Sequence, residues 1–150
     1  MIIAPEKLHA DFFYFEKGSF KAFFFMDFTY LQYIDDISSG RIPACKKVKL
    51  AIKRHINDIK KAESGTFPYY FDHEKAQKAI LFFSQLVHTE GELAGQKLKP
   101  EPWQQFIIAS IYGWRRRDNN YRRFRTAYIQ VARKNGKSFL AAGVALYDLM

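Results

Sequence analysis

The run Val131-Ala132-Arg133-Lys134-Asn135-Gly136-Lys137-Ser138 lies near the C-terminal end of a 150-residue chain, and its flanks restrict what the chain can build. Before it, Thr126-Ala127-Tyr128-Ile129-Gln130-Val131 is rich in β-branched and aromatic residues; after it, Phe139 to Leu146 is rich in Ala and Leu. Propensity and length predict a strand over 125–130, a turn, and a buried helix over 139–150. One strand and one helix cannot make a doubly wound sheet, because the strand keeps two open edges and an apolar face. The expected fold class is therefore α/β with an incomplete sheet, a mostly helical N-terminal region leading into one strand, a loop and a helix.

The loop itself carries chemistry. Gly136, Lys137 and Ser138 match the end of the P-loop pattern G-x-x-x-x-G-K-[ST], in which backbone N–H groups cradle phosphates, the Lys reaches β/γ oxygens and the hydroxyl meets Mg²⁺. Gly136 lets the backbone approach an oxyanion, Lys137 brings a movable point charge, and the next helix turns its positive end toward the anion. Ser138 stands where a hard oxygen ligand belongs. The first glycine of the pattern is replaced by Val131. The competing reading is a basic turn between two elements, but strand, loop and helix follow in the order that the P-loop of an NTPase requires.

Charge is concentrated beside this loop. Residues 113–137 hold nine of the 24 Lys and Arg, with Asp118 the one acid, so they account for nearly all of the net charge of +9. Such a cluster attracts nucleotide phosphates or a nucleic-acid backbone. Arg115, Arg116, Arg117, Arg122 and Arg123 are candidate nucleic-acid contacts; a solvated loop around the Asp118-Asn119-Asn120 turn is the alternative.

Other chemistries find little support. Cys45 is the lone cysteine, as expected of a reducing compartment. His9, His55, His73 and His88 lack metal-ligand spacing, and His55 falls on an apolar helix face, where packing is expected. Residues 12–28 contain eight of the fifteen Phe, but Glu16, Lys17, Lys21 and Asp27 interrupt them, so neither a membrane span nor a signal peptide is expected there.

Between these regions the periodicity is helical. Val48, Ala51, Ile52, His55, Ile56 and Ile59 share one face, with the lysines of that stretch largely off it. Ala76, Ala79, Ile80, Phe83, Leu86 and Val87 define a second helix, N-capped by Asp72. Trp103, Phe106, Ile107, Ile111 and Trp114 define a third, opened by Pro102.

Several blocks now combine into a specific likeness. Pro102-Trp103-Gln104-Gln105, Gly113-Trp114-Arg115-Arg116, Arg122-Arg123-Phe124-Arg125-Thr126-Ala127-Tyr128 and Ala132-Arg133-Lys134-Asn135-Gly136-Lys137-Ser138 resemble the N-terminal part of the large terminase subunit of tailed double-stranded DNA bacteriophages. Asp35-Asp36, Gly40-Arg41-Ile42, Ala44-Cys45-Lys46 and His88-Thr89-Glu90-Gly91 agree in order and spacing, so the resemblance runs from about Tyr30 to Met150. The first thirty residues depart from that family's usual beginning. The phosphate loop there often reads R-x-x-G-K-[ST], which Arg133, Gly136, Lys137 and Ser138 satisfy.

The resemblance implies an ATP-driven motor that packages viral DNA into a capsid, joined to a metal-dependent nuclease. It implies ATP and Mg as cofactors, with Gln104, Arg133, Lys134, Asn135, Gly136, Lys137 and Ser138 at the nucleotide. Gln104 would read the adenine edge, Lys137 would bind the β/γ-phosphates, Arg133 would sit near the γ-phosphate, and Ser138 would coordinate Mg. Double-stranded viral DNA, the small terminase subunit, the portal and further copies of the chain would be partners, in the cytoplasm of a bacterial host. The corresponding division is an aromatic-rich leader over 1–29, a helical region over 30–124, and a strand, P-loop and helix over 125–150.

Hydrolysis needs a second acid on the metal and an oriented water, and Asp148 is the one acid after Ser138. A catalytically incomplete, truncated product, such as a prophage remnant, is thus expected. The alternative is a non-catalytic DNA-binding or assembly module using the Arg115–Arg125 cluster. An unrelated P-loop helicase fits less well, since the matching blocks extend far upstream of the loop.

Overall fold

The computed structural model describes residues 29–89 and 91–150; the aromatic-rich segment over 12–28, nearly all of the leader over 1–29, and Glu90 lie outside the described residues. Among the described residues five helices and one small sheet follow in the order α1 (Thr29–Ser38), α2 (Lys46–Glu63), β1 (Tyr69–Phe71), α3 (His73–Gln85), α4 (Pro102–Gly113), β2 (Trp114–Arg116) and α5 (Lys137–Leu149). β1 and β2 pair antiparallel, with Tyr69 opposite Arg116 and Phe71 opposite Trp114.

Helix α4 is the centre of the arrangement, packed on α1 and α3, and α5 rests on α3. Its inward residues Phe106, Ile108, Ala109 and Tyr112 meet Tyr30 and Ile34 of α1 and Ala76, Ala79 and Phe83 of α3 in one apolar cluster. Burying each large side chain stabilises the fold by about 1.5–3 kcal/mol. Two glycines set the closest approaches. A Cβ on Gly113 would lie 2.5 Å from the Phe71 ring, and one on Gly143 of α5 would lie 2.3 Å from that of Phe83.

Helices α2, α3 and α4 form where the periodicity places them. Asp72 Oδ1 accepts the Lys75 N–H at 3.0 Å, the N-cap bond that opens α3. Three residues of those patterns, Leu86, Val87 and Trp114, lie outside the helices. Val87 lies beyond α3, which ends as Leu86 turns extended, and it is exposed. Trp114 has left α4 for β2, yet it is almost fully buried.

The strand expected over 125–130 does not form. Those residues run without a strand assignment and are exposed except Ile129. A strand needs a ladder partner for its N–H and C=O groups, and no described residue bonds to this backbone from its own. Among the described residues the sheet is the short β1–β2 pair, in which Trp114, expected at the end of a helix, is a strand residue.

Candidate nucleotide site

The loop turns through two left-handed residues, Lys134 and Gly136, both at φ 65°. For lysine this conformation costs about 1–3 kcal/mol; glycine accepts it freely. Asn135 closes the turn by donating its side-chain amide to the carbonyls of Ala132 and Arg133 at 3.4 and 3.2 Å. Gly136 is the N-cap of α5, and its carbonyl accepts from Leu140 at 2.9 Å. No side chain caps this helix, so the N–H groups of its first turn point outward without an intrahelical acceptor.

A second motif meets the loop from α4. Glu101 and Gln104 form a reciprocal capping box, in which the Gln104 side-chain oxygen accepts the Glu101 N–H at 2.9 Å. That bond fixes the amide, which is buried, and directs its nitrogen toward the loop: a Cβ added to Gly136 would lie 2.8 Å from Gln104 Nε2. Glycine at 136 is therefore favoured twice, by its left-handed backbone and by the approach of Gln104.

Between them opens a cleft of about 660 Å³, within the usual range for a small-molecule site. Lys134, Asn135, Gly136 and Phe139 form one wall, and Glu101, Trp103 and Gln104 the second. The third is formed by His88, Leu93 and Gln96 to Lys99, between α3 and α4. It is held in place by backbone bonds from His88 to Gln96, Gly95 to His88 and Leu98 to Leu86 at 2.8–3.0 Å. Lys97 and Lys99 add two cations to that wall. Arg133, Lys137 and Ser138 stand exposed on the loop and the start of α5, outside the lining of the cleft.

The glycine at the Gln104 approach, the left-handed turn and the uncapped helix start fit a polyphosphate. A metal has less to hold it. Among the described residues no three His, Cys, Asp or Glu side chains converge, which leaves the Ser138 hydroxyl. Asp148 is engaged elsewhere: it accepts the Tyr112 hydroxyl at 3.1 Å and pairs with Arg122 at 2.9 Å.

The arginines of the basic cluster do not form one surface. Arg123 Nη1 lies 2.8 Å from Asp58 of α2, a charge contact without an aligned hydrogen bond; Asp58 is buried and Arg123 is partly exposed, with its Nη1 buried. Its guanidinium also lies over the rings of Tyr69, Phe124, Trp114 and Phe67 at 4.4–5.4 Å. Arg122 sits over Tyr112 at 5.3 Å. Arg115 donates to the carbonyls of Tyr112 and Asn120, Arg117 to those of Phe67 and Ala62, and Arg116 pairs with Asp118 at 2.8 Å.

A family model described as terminase large subunit, ATPase domain, matches residues 102–150. That match covers the C-terminal third of the chain. The terminase match begins at the first residue of α4 and takes in β2, the loop and α5, so Gln104 and Gly136 both lie within it. The wall that includes His88 and Lys97 to Lys99 lies before the matched residues. No curated protein and no solved structure matches the chain. Among the described residues no helix is long and apolar enough to cross a membrane.

Proposed function

We propose that this chain is the ATP-binding part of a terminase-type DNA-packaging ATPase, with the polyphosphate at the start of α5 and the base toward α4. The observation that carries the reading is the approach of Gln104 to Gly136, which joins two motifs distant in sequence at one cleft. Lys137 supplies charge to the β/γ-phosphates, Arg133 stands near the γ-phosphate, and the N–H groups of the helix start and the left-handed turn bind phosphate oxygens. Gln104 keeps its amide nitrogen for the adenine edge, since its oxygen is already used in the capping box. Bound ATP would bring Mg²⁺ with it, and Ser138 would add one oxygen ligand.

These residues bind and orient the nucleotide. The acid that follows the loop, Asp148, is held by Tyr112 and Arg122. The partners of the whole assembly would be double-stranded viral DNA, a small terminase subunit and a portal. A DNA role for the Arg115–Arg125 cluster has narrower support, because Arg122 and Arg123 are spent on Asp148 and Asp58.

Titration of a fluorescent ATP analogue with Mg²⁺ tests the reading. Wild type is expected to saturate, and Lys137→Ala to weaken binding at least about tenfold, the cost of one charge-assisted contact. Gly136→Ala is expected to weaken it as well, by closing the turn against Gln104. Absence of saturable binding, or wild-type affinity in Lys137→Ala, overturns the proposal.

A further inference from the structure

Among the described residues a second exposed cationic surface lies on α2, none of whose residues lines the cleft. Helix α2 carries seven Lys or Arg and two acids. At 3.6 residues per turn, Lys46, Lys47, Lys49, Lys53, Arg54, Lys60 and Lys61 fall within an arc of roughly 160°, and all seven are exposed. The opposite face holds Val48, Ala51, Ile52 and His55 against the core. Of the two acids, Asp58 is buried and faces Arg123, with Lys61 at 3.7 Å. Among the described residues Lys46, Lys47, Lys49, Lys53 and Lys60 have no acidic partner. Arg54 stacks over Phe124 at 4.8 Å, which carries the basic face across to exposed Arg125.

We infer that the outer face of α2 binds the phosphate backbone of double-stranded DNA. Lysines three and four residues apart stand about 5–6 Å from one another, and an 18-residue helix is about 27 Å long. That length parallels about eight base pairs of duplex at 3.4 Å per pair. Nothing on the face reads bases: its one large apolar residue is Leu50 and its uncharged polar residue is Asn57, so contact is through charge and independent of sequence. A membrane surface fits less well. Interfacial helices bury an apolar face in lipid, and the apolar face of α2 is already committed to the core.

The test is a salt titration of DNA affinity, by anisotropy of a labelled 20-base-pair duplex, with the full chain and no nucleotide, so that failure of ATP binding would not affect it. Wild type is compared with a Lys46→Gln, Lys49→Gln, Lys53→Gln, Lys60→Gln variant. Gln matches Lys in helix propensity, and an unchanged urea midpoint confirms an intact fold. Removing four phosphate contacts is expected to reduce the slope of log affinity against log salt by about 3 to 4, with at least a tenfold loss at low salt. Arginine at the same four positions is expected to retain binding. An unchanged slope in the glutamine variant overturns the proposal. So does wild-type binding to phosphatidylserine vesicles without binding to the duplex.

Discussion

The indole N–H of Trp114 donates to Nδ1 of His55 at 3.1 Å, joining β2 to α2 inside the protein. The bond needs a neutral imidazole there, and the surroundings enforce one. Burial first, and then the neighbouring His73, depress the His55 pKa to about 4, against an opposing pull from Asp58. His73 is lowered as well, mainly by burial. Because the unfolded chain takes up protons on these histidines at higher pH than the folded one, stability is full above about pH 6.5 and falls as pH drops toward 4. His55 alone accounts for at most about 3 kcal/mol of that loss. Urea midpoints at pH 7 and pH 5 should differ in wild type. His55→Phe should be weaker at pH 7, having orphaned the indole N–H, yet less sensitive to acid. A wild-type midpoint that ignores pH across this window contradicts the account.

Gly143 and Phe83 make a second quantitative point. A methyl at 143 would sit 2.3 Å from the ring edge, so Gly143→Ala must push α5 away from α3. Although alanine favours helix by about 1 kcal/mol, overpacking costs about 1–3 kcal/mol, and net destabilisation is expected in thermal melts. Adding Phe83→Leu should recover part of the loss. If Gly143→Ala alone raises the melting temperature, the close packing is not as described.

The Arg123–Asp58 pair lies among four aromatic rings, so its removal should be felt as stability and not as binding. Asp58→Asn or Arg123→Ala strands a buried charge or empties its place, and a cost of about 3–5 kcal/mol follows. Chemical denaturation reads it directly. The salt dependence of DNA affinity, measured where each variant is still folded, should match wild type; a slope reduced by about one in Arg123→Ala would show that this guanidinium reaches phosphate after all.

Long amphipathic segments were legible because periodicity reports burial: Ile52 and His55 of α2, Ala76 and Phe83 of α3 and the Asp72 cap stand as read. Helix α1 was missed although Tyr30, Ile34 and Ile37 carry helical spacing, since the Phe-rich stretch before it obscures where a pattern begins. The three-residue strands are too short to show a period of two. The segment over 125–130 had the composition of a strand but no partner among the described residues. Composition cannot supply a partner. Linear charge counting likewise found the arginines without telling which turn inward; Arg123 is fixed by Asp58, far back in the chain. For the cleft, the motif located Gln104 and Gly136, while the wall from His88 to Lys99 depends on backbone bonds that no side-chain pattern announces.

Helix α5 is docked through Leu140, Gly143, Val144 and Tyr147, and Asp148 fastens its far end. Before the loop, Ile129 packs on the core, but the backbone over 125–130 bonds to no other backbone among the described residues. The loop is thus anchored mainly by the helix that follows it, and from the other side by Ile129. A load on the loop is transmitted into α5 and α3 before it reaches the chain that leads in.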